Sequence, residues 1–357
     1  MLLFMPTKVY SENNCVAAHG KELAALGKKA MIVTGRNSAR LCGALRDVTE
    51  ALTHNGTGYV LFDRVEENPS VETVMEARSI AVEEGADFFI GIGGGSPMDA
   101  AKAISMLTAA PEADETALYT AKELPYHPVV CVPTTCGTGS EVTPYAILTR
   151  HAQRTKKSIS HRIYPSLALL DAAYLTTLSK KARVDTCVDA LAHLLESYLN
   201  ANANELNRSY SRRGLEVWSR FRDRLKEDTV AEADLWDMLH ASMYAGMAIT
   251  HTGTSLPHGL SYPVTYELHV PHGRAVGMFL GGFVDSYPDK KAALDAISLL
   301  GFHDTAAFRS YLKEVLGEAA VPEALISLSA GKLLEDPGKL KNYPFPVDRH
   351  ILVGMRN

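Results

Sequence analysis

The order of strand-like and helix-like segments is the feature that most constrains the fold of this chain. Before residue 180, short apolar runs rich in β-branched and aromatic residues alternate with segments of helical periodicity. The predicted strands are KKAMIVTG, GYVLFDRV, DFFIGIGGG, PVVCVP and SLALLD. The predicted helices run from Ser38 to His54, after Asn68-Pro69, and from Pro97. This alternation indicates a parallel sheet with helices on both faces.

After Lys180 the predicted strands stop. The segments VDTCVDALAHLLESYL, LNRSYSRRGLEVWSRFRDRL, EADLWDMLHASMYAGMAI and DAISLLGF have helical spacing of apolar residues. A chain of 357 residues is also longer than a single hydrophobic core usually supports. We therefore expect two domains, an α/β domain over residues 1–180 and an all-helical domain over residues 181–357.

Composition excludes several classes of partner. The net charge is −5 and the isoelectric point is near 6.2, so no basic surface for nucleic acid or for an anionic membrane is indicated. No apolar run approaches the roughly 20 residues that span a bilayer, and the N-terminus does not resemble a signal peptide. The five cysteines form no Cys-x-x-Cys pair. We expect a cytoplasmic protein with reduced thiols and no nucleic-acid or membrane partner.

A first glycine-rich turn follows the predicted strand DFFIGIG. Gly93, Gly94 and Gly95 lead into a helix for which Ser96 is the expected cap and Pro97 the expected first residue. Bare backbone at a helix N-terminus favours an anion such as a pyrophosphate. The pattern fits neither a Walker A loop nor Gly-x-Gly-x-x-Gly. A structural turn without a ligand is the alternative.

A second stretch, VPTTCGTGSEVTPYA, follows the strand PVVCVP. It concentrates threonine, serine and glycine within a few residues. Small hydroxyl side chains in this number suit hydrogen bonds to sugar and phosphate oxygens. A plain polar loop remains the alternative interpretation.

Four residues of the helical half are candidate metal ligands. Asp189 and His193 in VDALAHLLE lie four residues apart, on one helix face that also carries Glu196. His258 and His272 lie in the two Pro-His-Gly tripeptides of SLPHGLSYPVTYELHVPHG, and we expect each tripeptide to form a turn. Three imidazoles and one carboxylate suit Fe(II) or Zn(II) better than calcium or magnesium. Hydrogen bonding without a metal is the alternative.

The motifs GGGSPMDAAK, PTTCGTGSEVT, VDALAHLLE and PHGLSYPVTYELHVPHG, in this order, resemble the iron-dependent (group III) alcohol dehydrogenases. This family belongs to the superfamily of glycerol dehydrogenase and dehydroquinate synthase. The resemblance runs to about residue 285 and is weak beyond it. It implies a dehydroquinate synthase-like fold, with a dinucleotide-binding domain, a helical metal domain and a catalytic cleft between them.

The resemblance also implies roles for individual residues. It makes Asp189, His193, His258 and His272 the metal ligands. The implied cofactor contacts are Gly94, Gly95, Ser96, Asp99, Thr134, Thr135, Thr138 and Ser140, and Lys157 is expected on the nicotinamide side. The expected cofactors are Fe(II), with Zn(II) as the alternative, and NADP(H) or NAD(H). The expected partner is a small alcohol or aldehyde, and a homodimer or larger homo-oligomer is usual in the family.

The implied activity is that of an oxidoreductase, an NAD(P)-dependent alcohol dehydrogenase or aldehyde reductase. The metal polarises the substrate oxygen while hydride passes between the substrate and the nicotinamide. The expected catalytic residues are His272 and Tyr262. Tyr262 stands where the family often has a histidine suited to relaying the substrate proton. A simple pocket wall is the alternative role for Tyr262.

A second departure from the family concerns the choice of cofactor. Relatives that prefer NAD often have an aspartate at the position of Gly35. Gly35 followed by Arg36 leaves room and attraction for a 2′-phosphate, so we expect NADPH to be used at least as well as NADH. The alternative is that Arg36 points to solvent.

Two further functions stay open at the level of the sequence. One is a zinc-dependent polyol dehydrogenase of the glycerol type, against which the histidine of VDALAH argues. The other is a catalytically silent nucleotide- or metal-binding relative. The sequence does not name the alcohol or aldehyde.

Overall fold

The chain divides into two compact units. The structure is a computed structural model that describes residues 3–120, 122–317 and 321–356. The α/β unit comprises Met5–Thr135 and Ser140–Thr177. The helical unit comprises Cys136–Gly139, the described part of Leu178–Asn357 and the described residues of Met1–Phe4.

The α/β unit is built on a six-stranded sheet whose strand order is β1-β8-β5-β4-β2-β3. All neighbouring strands of this sheet are parallel, which confirms the architecture that the sequence predicts. β6 and β7 form a separate antiparallel hairpin, and neither it nor β1 was expected. The strands are β1 (Lys8–Ser11), β2 (Lys29–Thr34), β3 (Gly58–Phe62), β4 (Phe88–Gly93), β5 (Val129–Pro133), β6 (Ile147–Arg150), β7 (Thr155–Ser158) and β8 (Leu167–Leu170).

Helices cover both faces of this sheet. On β2, Met31 and Val33 pack into one core cluster together with residues of α5 and α6, whereas Ala30 and Ile32 pack into another with residues of α1, α2 and α4. This division follows from the alternation of side chains along a strand. The helices are α1 (Cys15–Ala18), α2 (Gly20–Ala24), α3 (Ser38–Leu41), α4 (Ala44–His54), α5 (Val71–Glu84) and α6 (Gly95–Ala109).

The expected helix from Ser38 to His54 is interrupted. α3 ends at Leu41 and α4 begins at Ala44, because Gly43 adopts a φ of 87°. Glycine enters this left-handed region without the steric cost that a side chain would add. The interruption therefore separates the short helix α3, which comes soon after β2, from the longer helix α4.

The helical unit contains no β-strand within its described residues. α7 is its central element, and it is buried over most of its length from Arg183 onward. The indole of Trp218 on α8 donates a 2.9 Å hydrogen bond to the carbonyl of Cys187 on α7. The helices are α7 (Lys180–Tyr198), α8 (Glu205–Phe221), α9 (Glu232–Thr252), α10 (Leu256–Leu268), α11 (His272–Ser286), α12 (Lys290–Ser298), α13 (Thr305–Leu316), α14 (Glu323–Leu334), α15 (Pro337–Leu340) and α16 (Arg349–Gly354).

None of the described helices combines the length and the apolar character needed to cross a bilayer.

Candidate metal and cofactor sites

Helix α7 supplies two of the predicted ligands. Asp189 and His193 lie one turn apart on this helix, and both are at least nine-tenths buried. Glu196 follows in the next turn and has no exposed surface. The helix begins at an N-cap, where Ser179 accepts a hydrogen bond from the backbone of Ala182. Three ionisable side chains are thus enclosed along one buried helix.

The expectation that the two Pro-His-Gly tripeptides form turns is wrong. His258 is the third residue of α10, and His272 is the first residue of α11. A proline at the start of a helix costs no hydrogen bond, because the first N–H groups have no partner within the helix. A Cβ on Gly273 would collide with the carbonyl of Asp185, so glycine permits the close approach of α11 to α7. Each tripeptide therefore presents its histidine from the first turn of a helix.

Asp189, His258 and His272 bring their ligand atoms together. Asp189 Oδ1 lies 3.4 Å from His258 Nε2 and 3.8 Å from His272 Nε2. One potential ligand atom from each of the three residues lies within 4.8 Å of the others. One ion could contact all three.

His193 lies beside this group. Its ring stacks on that of His258 with centroids 4.3 Å apart, and its Nδ1 is 3.3 Å from the carbonyl of Gly137. Burial lowers the pKa of His193 to about 4, so the imidazole is neutral at physiological pH. A neutral imidazole is the form that binds a metal. Among the described residues, the grouping within 4.8 Å includes the other three candidates but not His193.

The chemistry of the site fits a cation. Asp189 Oδ1 and His258 Nε2 are buried and have no hydrogen-bond partner in the described structure. Burial opposes ionisation of Asp189, but the neighbouring imidazoles of His193, His272 and His258 outweigh it and hold the pKa of Asp189 below the usual range. With the proton of His258 on Nδ1, a cation between Asp189 Oδ1 and His258 Nε2 would satisfy both of these buried atoms. The donor set of carboxylate oxygen and imidazole nitrogen suits Fe(II) or Zn(II).

Sequence reasoning placed Glu196 on the ligand face but assigned it no role. Its Oε2 forms a short hydrogen bond with His258 Nδ1, and its Oε1 accepts from the backbone N–H groups of Ser255 and His258 at 3.2 and 3.1 Å. A proton on Nδ1 leaves the lone pair on Nε2, which is the atom 3.4 Å from Asp189. The i+7 spacing from Asp189 was the available signal for this residue.

Tyr262 lies against His272. Their rings stack with centroids 5.9 Å apart, and Tyr262 is half-buried. The ammonium of Lys339 lies 5.4 Å from the centroid of the Tyr262 ring, and Lys339 Nζ also donates a hydrogen bond to Thr254 Oγ1. Sequence reasoning missed Lys339, because it follows the last recognised motif by more than fifty residues.

In the α/β unit, the predicted cofactor loops follow three adjacent strands. Gly35 and Arg36 follow β2, Gly94 and Gly95 follow β4, and Thr134 and Thr135 follow β5. Because these strands are parallel and adjacent, their carboxyl ends lie at one edge of the sheet. The order of the strands also reverses beside β2, since β3 lies on one side of it and β4 on the other. Ligands of open α/β sheets bind at such a reversal.

The glycine-rich turn differs in detail from the expectation. α6 begins at Gly95 with Gly94 as its N-cap, so Ser96 and Pro97 lie in the first turn and Ser96 is not the cap. Pro97 is tolerated there because the first-turn N–H groups lack helical partners. Ser96 Oγ instead accepts a 3.0 Å hydrogen bond from the backbone of Asn68. A Cβ on Gly94 would lie 3.1 Å from Thr135 Oγ1, so the two predicted loops are in close contact.

Asp99 and Ser140, both predicted cofactor contacts, bond to each other. Ser140 Oγ donates to Asp99 at 2.6 Å, and the other oxygen of Asp99 accepts from the backbone of Ile147 at 2.8 Å. Lys102, which sequence reasoning missed, is fully buried beneath this contact. Its Nζ donates to Ser140 O, Ser140 Oγ and Tyr145 O at 2.7–2.8 Å. Lys102 and Asp99 on α6 thus fix the loop after β5. The i+3 spacing of Lys102 from Asp99 was the sequence signal that could have identified Lys102.

Thr134 is buried with its hydroxyl unpaired, and its backbone N–H donates to Gly93 at 2.8 Å. Thr138 lies in the short stretch Cys136–Gly139 that packs with the helical unit. Gly139 has a φ of 59°, and a Cβ there would meet the backbone of Gly246 on α9. Cys136, in the same stretch, is buried with its sulfur 3.6 Å from that of Cys187.

The β6–β7 hairpin carries two lysines with different surroundings. Lys157, the predicted nicotinamide-side residue, is exposed, with its Nζ 5.7 Å from the Tyr119 ring centroid. Lys156 is buried and donates a 2.6 Å hydrogen bond to Asn68 Oδ1. The backbone of Asn68 also donates to Ser96, so Asn68 links the start of α6 to the hairpin.

Arg36, the residue predicted to attract a 2′-phosphate, is exposed after the end of β2.

Comparison with protein families assigns both halves of the chain. The family described as iron-containing alcohol dehydrogenase matches residues 6–172. The description Fe-containing alcohol dehydrogenase family, C-terminal, matches residues 183–321. The two matches together cover most of the chain.

Individual proteins agree with this assignment. Aldehyde-alcohol dehydrogenase 2 of Entamoeba histolytica is 32% identical over 77% of this chain and 33% of its own length. Lactaldehyde reductase of Escherichia coli is 31% identical over 71% of this chain and 66% of its own length. The matches therefore span less than two thirds of these curated relatives.

Solved structures give the same result over the full length. The crystal structure of an iron-containing alcohol dehydrogenase from Thermotoga maritima has a TM-score of 0.92 and is 33% identical. The match covers 99% of this chain and 98% of that one. Together with the residues described above, these matches establish that the chain belongs to the iron-containing alcohol dehydrogenase family.

Proposed function

We propose that this protein is a metal-dependent, NAD(P)(H)-linked alcohol dehydrogenase or aldehyde reductase that acts on small primary alcohols or aldehydes. The observation that carries the proposal is the convergence of Asp189 Oδ1 with His258 Nε2 and His272 Nε2, at 3.4 and 3.8 Å, around a buried carboxylate. Such an arrangement is costly unless a cation occupies it. Membership of the iron-containing alcohol dehydrogenase family supports a metal-dependent alcohol oxidation or aldehyde reduction at this site.

The proposed ligands are Asp189, His193, His258 and His272, with Fe(II) as the ion and Zn(II) as the alternative. When bound, the ion supplies a Lewis acid that polarises the substrate oxygen. Asp189 contributes the carboxylate, and with it the negative charge, of the ligand set. Glu196 keeps the proton of His258 on Nδ1, so that Nε2 presents its lone pair.

Alcohol oxidation removes a hydride from carbon and a proton from oxygen, and each needs an acceptor. A bound nicotinamide would supply the hydride acceptor. Tyr262, stacked on His272, is the proposed residue for moving the proton through its hydroxyl. His272, on which the Tyr262 ring stacks, is at the same time a proposed metal ligand.

The proposed cofactor contacts are those at the sheet edge, together with Thr138 and Lys157. The free N–H groups at the start of α6 favour a pyrophosphate, and Gly94, Gly95 and Ser96 supply them. Thr134, Thr135 and Ser140 offer hydroxyls. Asp99 acts by holding Ser140. Arg36, exposed beside Gly35, favours the 2′-phosphate of NADP(H).

The proposal is tested by removing the metal. The protein is purified anaerobically and stripped with a chelator, and NADPH and NADH oxidation is followed with small aldehydes before and after addition of Fe(II) or Zn(II). We expect activity to be lost and to return with Fe(II). Asp189→Asn and His258→Gln should abolish the return, whereas His303→Gln, at an exposed position, should not. Activity that persists in metal-free protein would refute the proposal.

A further inference from the structure

Lys339 joins the metal site from a part of the chain outside the family match. The C-terminal family match ends at residue 321, and Lys339 lies on α15, near the end of the chain. Its Nζ donates a hydrogen bond to Thr254 Oγ1 and lies 5.4 Å from the centroid of the Tyr262 ring. Tyr262 in turn stacks on His272. The ammonium and a candidate ligand therefore both contact the same aromatic ring.

The ammonium keeps its charge in this setting. Burial favours the neutral amine, but the phenol of Tyr262 and the carboxylate of Glu196 outweigh it and raise the pKa of Lys339. Both oxygens of Glu196 are engaged by Ser255 and His258, so Glu196 acts on Lys339 through space. The recorded acceptor of the Lys339 ammonium is the hydroxyl of Thr254, a neutral group. A partly enclosed cation without a directly bonded anion is suited to receive one.

We propose that Lys339 is a specificity-determining residue that recognises an anionic group, a carboxylate being the simplest, at the far end of the alcohol or aldehyde substrate. The inference rests on the proposed function, because it places the reacting oxygen at Asp189, His258 and His272. A substrate held there and extending past Tyr262 meets the ammonium after a few carbon atoms. A short ω-hydroxy acid has this form, and its uncharged analogue lacks the group that Lys339 binds.

The test compares charged and uncharged alcohols of equal chain length. Oxidation of 3-hydroxypropanoate and 4-hydroxybutanoate is measured beside that of 1-propanol and 1-butanol in the metal-loaded enzyme. The variants are Lys339→Met, which removes the charge, Lys339→Arg, which keeps it, and Lys341→Met, at an exposed position two residues away. Thermal unfolding of each variant checks that the fold is retained.

We expect wild type to prefer the hydroxy acids. Lys339→Met should lower kcat/KM for them by about 10-fold to 100-fold, mainly through KM, because one hydrogen bond to a charged group is lost. The loss on 1-propanol should be smaller, so that the ratio of kcat/KM for the hydroxy acid to kcat/KM for 1-propanol falls by about 10-fold. Lys339→Arg should recover much of the loss, and Lys341→Met should behave as wild type.

Two results would overturn the inference. One is an equal loss on charged and uncharged alcohols in Lys339→Met, which would make Lys339 a structural residue. The other is a wild-type enzyme that prefers 1-propanol. This result would leave the proposed function intact but refute the preference for an anionic substrate.

Calorimetric titration of the metal-loaded protein with 3-hydroxypropanoate separates this inference from the activity. If no alcohol is oxidised, the proposed function fails, but weaker binding to Lys339→Met than to wild type still supports anion recognition. Equal binding refutes it. Any carboxylate that binds the ion directly contributes equally to both proteins, so the difference reports on Lys339.

Discussion

Glu196 contacts His258 at both ends of the residue: one carboxylate oxygen bonds to the imidazole Nδ1, and the other accepts from the backbone N–H of His258 at 3.1 Å. The two contacts fix the orientation of the ring and the position of the first turn of α10 together. Nε2 is thereby directed to Asp189 Oδ1 on the same helix as Glu196. One buried helix thus supplies both a candidate ligand and the group that orients a second.

This contact predicts that Glu196→Gln weakens metal binding while the ligands remain in place. The amide can still accept hydrogen bonds but carries no charge to support His258, and such supporting groups typically change metal affinity by about 10-fold to 100-fold. Competition with a chromophoric chelator measures the dissociation constant directly. Glu314→Gln, at an exposed position, is the control. An unchanged dissociation constant in Glu196→Gln would contradict the role assigned to Glu196.

Lys102→Met is expected to destabilise the α/β unit and to weaken cofactor binding. The substitution leaves the carbonyls of Ser140 and Tyr145 without their buried donor and Asp99 without its neighbouring cation at 3.8 Å. Loss of one partner in such a buried network costs about 3 kcal/mol of unfolding free energy. Urea unfolding and fluorescence titration with NADPH measure the two effects. Lys21→Met, at an exposed position on α2, should change neither. A stable Lys102→Met with normal NADPH affinity would refute the prediction.

Gly35→Asp is expected to shift the cofactor preference toward NADH. An aspartate at the end of β2 would repel the 2′-phosphate of NADPH and accept a hydrogen bond from the 2′-hydroxyl of NADH. A Cβ at this position would lie 3.2 Å from the carbonyl of Val65, a contact that a small shift relieves. The ratio of kcat/KM for NADPH and NADH should fall by about 10-fold or more. Arg36→Gln should lower only the NADPH value. A ratio that neither substitution changes would mean that the 2′-phosphate is not bound here.

Glu141 predicts a pH dependence of stability. Burial raises its pKa from 4.5 to about 7, and its Oε1 has no hydrogen-bond partner in the described structure. Between these two values the folded state binds more protons than the unfolded state, so the free energy of unfolding falls as pH rises through this window. Glu141→Gln has no proton to lose. Its stability relative to wild type should therefore increase by about 3 kcal/mol between pH 4 and pH 8.

Urea unfolding at the two pH values measures this difference. Glu112→Gln, at an exposed position, should give a constant difference. If Glu141→Gln also gives a constant difference, the carboxyl of Glu141 titrates normally and is hydrated in solution.

The parallel sheet and the change to helices after residue 180 could be predicted because they depend on local patterns. Periodicity of apolar residues and the positions of glycine and proline are properties of a few consecutive residues. The short hairpin β6–β7 lacks a strong apolar pattern, and its strands are stabilised by each other. The interruption of the helix at Gly43 likewise depends on one backbone angle. Neither feature has a periodic signal.

The candidate site divides in the same way. Residue types and spacing were sufficient to propose Asp189, His193, His258 and His272, since ligand chemistry belongs to the side chains themselves. The contacts that assemble the site join residues 60 to 80 positions apart. Glu196 orients His258, and Lys339 approaches Tyr262, across such distances in the sequence. Such contacts arise only when helices pack, because burial and not sequence distance brings these charges together. The Pro-His-Gly tripeptides became helix starts for the same reason: packing of α11 against α7 decides the conformation of a segment whose local signals allowed a turn.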